Sequence, residues 1–475
     1  MPKEYQQDGD SSFGGFNSYT NSAAFDPNKG VMEYAQNIRN FQGVIGRRPG
    51  IAKASSALGF VPVYAVPSGS PTGDCIHMWD AAGNVKKWAP ASNTLTAVAP
   101  AARAMQKVRG QGYLEPATIE ASKTAYWTGD YDFTAAANCL GRLAYARYDQ
   151  IWLSLFGGVQ PFNGDTVSLV QETFDPIKAL HYSYASRKLM AFGSRSVYMV
   201  ELAVVPSMSL ERGDPESHHF HKVSRIASMD GILAKDSVAE AFGQVFWLGN
   251  SGIYMMDADK GMLDGAIPIS LDIADQLEGI PAAELQKAVG MAFDGRYHIL
   301  LPNKTDFKLN RILIIDPQIE GRFETYDDYG AKEFISICAI RNADGILRPY
   351  AVGKDGYVYE LETGTTDDGA AYTSIIRTRN YNFRTEMDKR YEAVLVKLDT
   401  KGSANVEIYF KSINPDGSHL LDSLNGNVGG AVRRALAGKK CSGCSVEVVV
   451  KSGFPLIYSV MVDGSIAGRS IFNSF

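Results

Sequence analysis

The densest group of possible metal ligands in this sequence is the run His218, His219, Phe220 and His221. In an extended strand alternate side chains share a face, so His219 and His221 would point to the same side. Two imidazoles can begin a zinc site, but a complete site needs three or four ligands, and no further ligand follows at a suitable spacing. Because turn-forming residues precede the run, the sequence predicts a solvated or interface loop here. A metal site is the alternative.

The five cysteines are too few and too scattered to form a disulfide framework in a chain of 475 residues. Cys75, Cys139 and Cys338 are typical of small core residues. Cys441 and Cys444 form one CxxC, which would need two more ligands to hold zinc. No second CxxC or histidine pair follows it. We therefore predict a plain turn that leads into a strand, with a redox or metal role as the alternative.

Catalytic signatures are missing from the sequence. It contains no Gly-x-Ser-x-Gly nucleophile elbow and no phosphate-binding loop that ends in Gly-Lys-Ser/Thr. Residues 257–261 start like a calcium-binding loop, but Gly261 stands where Asp or Asn is needed. The acidic pairs at residues 327–328 and 367–368 lie in turn contexts, and we expect both to be solvated. These observations predict a protein that is not an enzyme and that has no cofactor and no resident metal.

The elements that would position any such site are short strands. The chain contains 46 Gly, 24 Tyr and 22 Phe, a composition that suits many strands joined by tight turns. Hydrophobic residues make up 45% and charged residues 21%, as in packed globular proteins. No apolar run approaches the roughly 20 residues that cross a bilayer, and the first residues lack the apolar stretch of a secretory signal. We expect no membrane span and synthesis in a cytoplasm.

Apolar runs bounded by turn residues predict the strands. Residues 76–80 and 85–88, separated by Ala-Ala-Gly-Asn, predict a hairpin. Helical periodicity is limited to residues 236–242 and 282–289. Apolar runs of strand length lie at residues 151–156, 245–248 and 312–315.

A turn followed by a strand centred on tyrosine recurs along the chain. Residues 193–200, 249–256 and 353–360 share this order, and residues 293–300 supply a fourth copy. The spacings fit a repeat of about 50 residues, which is the length of a four-stranded propeller blade. The sequence therefore predicts an all-β fold that contains a β-propeller. Stacked β-sandwiches are the alternative.

Three regions follow from composition and repeat. Residues 1–30 are polar and rich in Gly, Ser and Asn, and we predict a flexible N-terminal arm without its own core. Residues 31–365 would form the propeller. The repeat stops near residue 365, and strand-like runs with partial alternation predict an additional C-terminal β-sandwich-like region over residues 366–475. Those strands could instead close the propeller ring.

Charge divides the chain unevenly. Residues 371–475 contain 14 Lys and Arg against 9 Asp and Glu, a net charge of +5. The whole chain has a net charge of −5, so residues 1–370 carry −10. The overall charge is not that of a sequence-specific nucleic-acid binder. A basic end on an acidic body predicts two surfaces with different partners, and an asymmetry without functional meaning is the alternative.

One segment resembles a known family. Residues 37–41, Asn-Ile-Arg-Asn-Phe, are followed by Arg47, Arg48, Pro49 and Gly50. This order resembles the opening of the tail nozzle (tail hub) proteins of short-tailed bacteriophages. Proline fixes its own backbone and glycine allows a sharp turn, so the turn could present two arginines rigidly. We expect these four residues to serve assembly, and an ordinary loop that enters the first blade is the alternative.

Three further phrases, at residues 192–198, 230–254 and 356–390, are similar to the blade phrases of that family. The resemblance covers residues 37–400 and leaves the C-terminal end uncovered. It implies a β-propeller fixed below the portal and adaptor of a virion, with no catalytic residues because the role is mechanical.

The resemblance also implies a function and partners. The chain would be a structural virion protein that forms a ring-shaped tail nozzle or hub and conducts genomic DNA during ejection. It would form a homo-hexameric ring, contact an adaptor ring and fibres or a needle, and let double-stranded DNA pass without sequence preference. Assembly would take place in the host cytoplasm, and the final location would be the virion tail. A glycan-binding or glycan-hydrolysing propeller and another head-to-tail connector protein are the alternatives.

Overall fold

The computed structural model describes residues 5–10, 13, 15–16, 31–70, 73–97, 110–111, 134–139, 142–153, 166–168, 175–202, 222–226, 230–257, 267–318, 323–382, 389–413 and 416–466. Within these residues the fold is nearly all-β and consists of many small sheets. The all-β class predicted from the sequence is therefore confirmed. The helical elements of these residues are short: two 3₁₀ turns, Lys235–Ser237 and Ser270–Ile273, and helices α1 (Ala274–Leu277) and α2 (Ala282–Leu285).

The strands are numbered in chain order. Those of the N-terminal part are β1 (Tyr5–Asp10), β2 (Gly15–Phe16), β3 (Val31–Met32), β4 (Tyr34–Gln36), β5 (Ile38–Phe41), β6 (Val44–Arg47) and β7 (Ile51–Lys53). Those of the middle part are β8 (Tyr64–Ser70), β9 (Gly73–Trp79), β10 (Val85–Ala89), β11 (Thr94–Ala97), β12 (Gly110–Gln111), β13 (Ala135–Cys139), β14 (Arg142–Arg147), β15 (Gln150–Leu153), β16 (Thr166–Ser168), β17 (Ala179–Ser183), β18 (Lys188–Phe192), β19 (Val197–Glu201), β20 (Lys222–Arg225), β21 (Ala239–Ala241), β22 (Gln244–Leu248), β23 (Ile253–Asp257), β24 (Ile267–Pro268), β25 (Val289–Phe293), β26 (Arg296–Pro302), β27 (Leu309–Ile315), β28 (Phe323–Asp328), β29 (Phe334–Arg341), β30 (Leu347–Gly353) and β31 (Val358–Leu361). Those of the C-terminal part are β32 (Ser374–Arg377), β33 (Lys389–Asp399), β34 (Ala404–Ile413), β35 (Asp416–Gly426), β36 (Gly429–Cys441), β37 (Cys444–Ser452) and β38 (Leu456–Ile466).

Four-stranded antiparallel meanders follow one another through the middle part. Strands β8–β11, β17–β20 and β21–β24 each form one sheet in chain order. Strands β13–β16 do the same with β12 added in parallel, and β25–β28 begin a larger sheet. Tight turns produce this order. The predicted hairpin at residues 76–88 is confirmed, since β9 and β10 pair with Val85 opposite Trp79.

A strand from the start of the chain completes the last meander. Strands β29, β30 and β31 pair in order, and β7 adds beside β31 with Ile51 opposite Leu361. The described part of the chain contains no sheet that closes on itself. The propeller therefore stays a prediction.

Two sheets of the C-terminal part share one hydrophobic core. The first has the order β36-β33-β38-β6-β5, with β1 also paired to β38, and the second continues from β28 through β4, β32, β37 and β34 to β35. Buried side chains from both sheets, such as Val396 and Val460 of the first and Ile408 and Val448 of the second, belong to the same cluster.

N-terminal residues join these C-terminal sheets. The three regions predicted from the sequence, residues 1–30, 31–365 and 366–475, did not include such pairing. Strand β4 lies between β28 and β32, and β6 pairs with β38. Residues 5–10, expected to belong to a flexible arm, form β1 on β38, with Asp10 opposite Val460. Phe13 has 2% of its surface exposed. Partners so distant in sequence leave no local pattern, because strand pairing depends on tertiary contacts.

The tyrosine repeat marks one particular turn. The phrases at residues 193–200, 249–256 and 353–360 each join the second and third strands of a meander. The predicted fourth copy at residues 293–300 joins a first strand to a second, β25 to β26, so it is not equivalent. The predicted strands at residues 245–248 and 312–315 are confirmed as parts of β22 and β27.

Aspartate carboxylates hold two of these repeat turns in place. Asp175 accepts the backbone N–H groups of Ser194 at 2.7 Å and Arg195 at 2.8 Å. Asp230 accepts the N–H of Ser251 at 2.9 Å and the hydroxyl of Tyr254 at 2.7 Å. Each aspartate precedes the first strand of a meander, Asp175 before β17 and Asp230 before β21. Its hydrogen bonds stabilise a tight turn, and the repeated phrase marks that turn.

The predicted helix at residues 236–242 is wrong. A 3₁₀ turn there leads directly into β21, because Phe242 and Gly243 with positive φ form the hairpin turn to β22. The predicted helix at residues 282–289 is α2 in its first half only. Among the described residues, no helix is long and apolar enough to cross a membrane.

Candidate functional site

Arg48 is the centre of a buried charge cluster. It lies between β6 and β7 and has 0% of its surface exposed. Its Nη1 and Nη2 donate to the two carboxylate oxygens of Asp367 at 2.9 and 2.6 Å, and its Nε donates to Asn37 Oδ1 at 3.0 Å. Such a bidentate pair is among the stronger and most directional polar contacts in proteins.

Two tyrosine rings enclose the Arg48 guanidinium. Its Cζ lies 4.4 Å from the ring centre of Tyr329 and 4.0 Å from that of Tyr372. Arg47 also stacks on Tyr372, at 3.9 Å, and donates to its carbonyl oxygen. The Tyr372 hydroxyl donates to the Arg48 carbonyl, and burial raises the pKa of Tyr372 to about 12. Cation–π contacts of this kind stabilise a charge that water does not reach.

A second buried arginine shares the carboxylates. Arg39 donates to both oxygens of Asp327, at 3.0 and 2.6 Å, and also pairs with Glu362. Asp327 Oδ1 lies 3.6 Å from the Nε of Arg48. Burial alone would lower the pKa of Arg39, but Asp327 and Glu362 outweigh it and raise the pKa well above its usual value. The cluster therefore compensates its charges internally.

Glu324 extends the cluster to Arg296, the first residue of β26. Glu324 has 0% of its surface exposed, and its Oε2 lies 3.1 Å from the Nε of Arg296. Arg296 Nε also lies 3.3 Å from Asp316. Burial raises the pKa of Glu324 despite the nearby cations. This carboxyl is thus held by ion pairing in a site that disfavours its charge.

His298 is a buried neutral base beside the cluster. It has 4% of its surface exposed and its ring lies edge-on to Phe293, with centroids 6.1 Å apart. Burial, followed by the charge of Arg39, lowers the pKa of His298 to about 3. The imidazole is therefore uncharged at neutral pH.

The cluster joins the meanders to the two C-terminal sheets. Strands β5 and β6 belong to one of the C-terminal sheets, and Arg48 directly follows β6. Asp327 is the second-last residue of β28, and Asp367 and Tyr372 follow the last meander. Buried ion pairs between these segments fix their relative orientation, because any separation would leave charges without partners. The arrangement therefore stabilises the junction between the meanders and the C-terminal sheets.

The predicted assembly residues lie inside this site. Arg47 and Arg48 are buried, Pro49 is half-buried, and Gly50 is buried with its N–H bonded to Gly364 O at 3.1 Å. The sequence suggested that the turn at Pro49 exposes both arginines, whereas the structure buries them. Carboxylates and tyrosines from residues 327–372 hold them inward.

Other predicted sites fall into three groups. The histidine run at residues 218–221 lies outside the described residues. All five cysteines are buried, and Cys441 and Cys444 end β36 and begin β37, as the predicted turn requires. Of the acidic pairs expected to be solvated, Asp327 and Asp367 are instead buried. In the part of the chain that the structure describes, no three His, Cys, Asp or Glu side chains are grouped as metal ligands.

Sequence reasoning missed Arg39, Tyr329 and Tyr372. Arg39 lies in the phrase that carries the family resemblance, which was the one available signal, while the tyrosines lie in ordinary turns. No family model matches this chain, and no curated protein matches it either.

Proposed function

We propose that this chain is a structural virion protein that forms a ring-shaped tail nozzle, or tail hub, and conducts genomic DNA during ejection. The order of the sheets carries the proposal. Six meanders follow in succession, from β8–β11 to β29–β31, and β7 supplies the fourth strand of the last one. A six-bladed β-propeller closed by a strand from the other end of the chain has this order. The resemblance to tail nozzle proteins implies the same architecture.

The C-terminal region fits a rigid attachment to that propeller. We propose that its two sheets form a β-sandwich, with strands β33, β38 and β6 on one side and β32, β37 and β34 on the other. The Arg48–Asp367 and Arg39–Asp327 pairs connect this sandwich to the meanders. A tail component that carries mechanical load would need such a rigid junction between its domains. This role requires no catalytic group.

Charge supports the role of a conduit. Residues 1–370 carry a net charge of −10. Many Lys or Arg contacts to phosphate would sum to tight, salt-dependent binding, which would hinder the passage of DNA. An acidic body that lines or flanks a channel would not retain its cargo. We propose a homo-hexameric ring on the tail axis, in contact with an adaptor ring and with fibres or a needle, assembled in the host cytoplasm.

Imaging of the particle that carries this chain tests the proposal. The chain would be tagged at its N terminus and located by electron cryomicroscopy of tagged and untagged particles, the untagged ones serving as the control. We expect extra density at six positions around the tail axis below the adaptor ring. One copy per particle, or copies scattered over the capsid, would contradict the proposal. Hydrolysis of cell-surface glycan by the purified chain would favour the glycan-acting propeller instead.

A further inference from the structure

The outer face of one C-terminal sheet carries exposed cations. In the sheet with the order β36-β33-β38, Arg390 of β33 is exposed and lies between two residues that have 0% of their surface exposed. Lys397 of the same strand is exposed and lies between two residues of the shared hydrophobic core. Because neighbouring side chains of a strand point to opposite faces, both cations point away from the core.

Lys440 of β36 adds a third charge to this face. It is exposed and lies directly opposite Arg390, and residues directly opposite each other in an antiparallel pair share a face. We call the surface formed by Arg390, Lys397 and Lys440 the basic face. Within the residues that the structure describes, none of the three forms an ion pair. The like charges of Arg390 and Lys440 are destabilising across the two strands, so a carboxylate from outside the chain would stabilise them.

The carboxylates of these strands are less accessible than the cations. Arg433, a further exposed cation of β36, is paired with Asp463 of β38 at 3.0 Å. Glu392, Asp399 and Asp463 are half-buried, whereas Arg433 and the three cations of the basic face are exposed. The accessible charge of the surface is therefore positive.

Two apolar side chains lie between the charges. Leu395 of β33 and Met461 of β38 are directly opposite each other. Each is half-buried, although the residues before and after it in the sequence are buried, so both lie on the outer face. Leu395 also lies between Arg390 and Lys397 in the sequence. A matching partner would carry an exposed apolar side chain with carboxylates beside it.

Residues 270–287, which we call the acidic insertion, have this character. They separate β24 from β25 with a 3₁₀ turn and helices α1 and α2. They contain four carboxylates and one cation, and that cation is paired at 2.7 Å with a glutamate of the same segment. Leu271 has 62% of its surface exposed. Asp272 and Glu278 are exposed and form no ion pair with any described residue.

Other exposed apolar residues match the basic face less well. Tyr148 and Ile346 are exposed, and each has an aspartate one or two positions away. Each also has an arginine within two positions, Arg147 and Arg348 respectively. These surfaces are mixed in charge, whereas the charged neighbour of Leu271 is an unpaired carboxylate. The acidic insertion is therefore the better complement.

The acidic insertion and the basic face lie on different sides of the C-terminal sheets. Gln276 of the insertion accepts a hydrogen bond from Arg311 at 2.6 Å, and Arg311 lies over the ring of Tyr326. The hydroxyls of Tyr326 and Tyr34 are in contact. Tyr34 alternates with the core residue Ala35 in β4, so it lies on the outer face of the second sheet. The basic face is the outer face of the first sheet, so the two surfaces suit a contact between copies.

We propose that the acidic insertion of one copy binds the basic face of the next copy. Leu271 would cover the apolar pair, and the two unpaired carboxylates would pair with the three cations. The contact joins different surfaces of the two copies, and such head-to-tail contacts close into rings when the rotation per subunit allows it. The inference rests on the proposed ring and names the surfaces through which the ring forms. Duplex DNA, another polyanion, would have no apolar group to match Leu395 and Met461.

Charge exchange between the two surfaces tests this contact. Variant A carries Arg390→Glu, Lys397→Glu and Lys440→Glu, and variant B carries Asp272→Lys and Glu278→Lys. In sedimentation velocity at low salt, we expect the wild-type mass to rise with concentration and each variant alone to remain monomeric. A mixture of A and B should associate again, because the altered basic face of A then meets the altered insertion of B. This recovery also shows that both variants are folded.

The control for variant A carries Arg187→Glu, Lys222→Glu and Arg225→Glu, which make the same charge change at exposed positions of the β17–β20 meander. It should associate like the wild type. A wild type that stays monomeric, an unimpaired variant A or B, or a mixture that fails to associate would overturn the inference. Loss of duplex DNA binding in variant A with self-association intact would also overturn it, because the basic face would then be a DNA contact.

A second variant tests the apolar part of the contact without changing any charge. Leu271→Ser should raise the dissociation constant of self-association about tenfold, because a buried leucine side chain contributes to binding. Leu420→Ser, at a residue with 54% of its surface exposed, is the control and should leave the dissociation constant unchanged. Equal constants for the two variants would contradict the predicted position of Leu271.

The solution test is separable from the proposed function. A tail ring that assembles normally from variant A refutes the contact and leaves the nozzle function standing. Restored association in the mixture, with the chain absent from the tail, supports the contact and refutes the nozzle function.

Discussion

The Arg48 guanidinium and the Asp367 carboxylate connect the two ends of one meander. Arg48 lies just before β7 and Asp367 lies after β31, and these two strands are neighbours in the same sheet. The pair is separated by 319 positions in the sequence. Because both side chains are buried, water is not an alternative partner for either charge. The closure of this sheet therefore depends on the pair as well as on the backbone hydrogen bonds.

Substitution of Arg48 should be strongly destabilising. Arg48→Leu leaves the Asp367 carboxylate buried without its partner, and we expect the free energy of unfolding to fall by about 3–5 kcal/mol. Arg48→Lys keeps the charge but loses the bidentate geometry and the stacking on two rings, so it should also be destabilising. Urea unfolding followed by circular dichroism measures both.

The matched control is Lys354→Leu, which removes an exposed pair with Glu333 at 2.8 Å. Surface pairs contribute about 1 kcal/mol or less. If Arg48→Leu were no more destabilising than this control, the proposed closure by the buried pair would be wrong.

His298 should make the fold sensitive to mild acid. Its pKa is about 3 in the folded chain against 6.5 when unfolded. The unfolded chain therefore binds a proton that the folded chain excludes, so stability is present above pH 6.5 and falls as the pH drops towards 3. Between pH 7 and pH 5 we expect His298 alone to account for a loss of about 2 kcal/mol.

The His298→Gln variant cannot bind that proton. Its difference in unfolding free energy between pH 7 and pH 5 should be smaller than that of the wild type by about 2 kcal/mol. His419→Gln, at an exposed position, is the control and should keep the wild-type difference. Equal differences for all three proteins would refute the assignment.

Gly50 should tolerate no side chain. A Cβ at this position would overlap the carbonyl oxygen of Thr366, which is backbone and cannot move aside. We expect Gly50→Ala to lower the free energy of unfolding by at least about 2 kcal/mol. Gly429→Ala, where nothing lies within reach of the added Cβ, should change it by less than about 0.5 kcal/mol. Thermal unfolding of the two variants, each compared with the wild type, tests this prediction.

Phe13 tests whether the N-terminal segment belongs to the fold. It packs in the main hydrophobic cluster, and its N–H donates to Gly43 O at 3.1 Å. We expect Phe13→Ala to lower the unfolding free energy by about 3 kcal/mol. Phe41→Ala, at a residue with 54% of its surface exposed, is the control and should have a small effect. No difference between the two would show that residues 1–30 behave as the flexible arm predicted from the sequence.

Local elements were within reach of the sequence. The hairpin at residues 76–88 and the runs at residues 245–248 and 312–315 appear as strands, and the C-terminal region is built of strands as its alternation predicted. Turn residues and apolar runs act over a few positions, so their effect is readable without the rest of the chain. The failed helix at residues 236–242 shows the limit, because a hairpin turn at Phe242 overrode a short periodic pattern.

Long strands with polar sequences escaped prediction for a related reason. Strands β35 and β36 lie at sheet edges and are largely exposed, so they show little apolar alternation. Their extended form comes from hydrogen bonding to β34 and β33. An edge strand needs only one such neighbour, and that neighbour is supplied by the fold rather than by the strand's own residues.

The sequence by itself determined that this protein is all-β, where many of its strands and turns lie, and that its charge is uneven. Only the tertiary structure decided that β7 lies beside β31, that β4 lies between β28 and β32, and that Arg48 pairs with Asp367. The physical reason is distance along the chain. Turns and alternation are local, whereas strand neighbours and buried ion pairs depend on which distant surfaces pack together. The sequence alone does not distinguish an arginine or aspartate that forms a buried pair from one that is exposed.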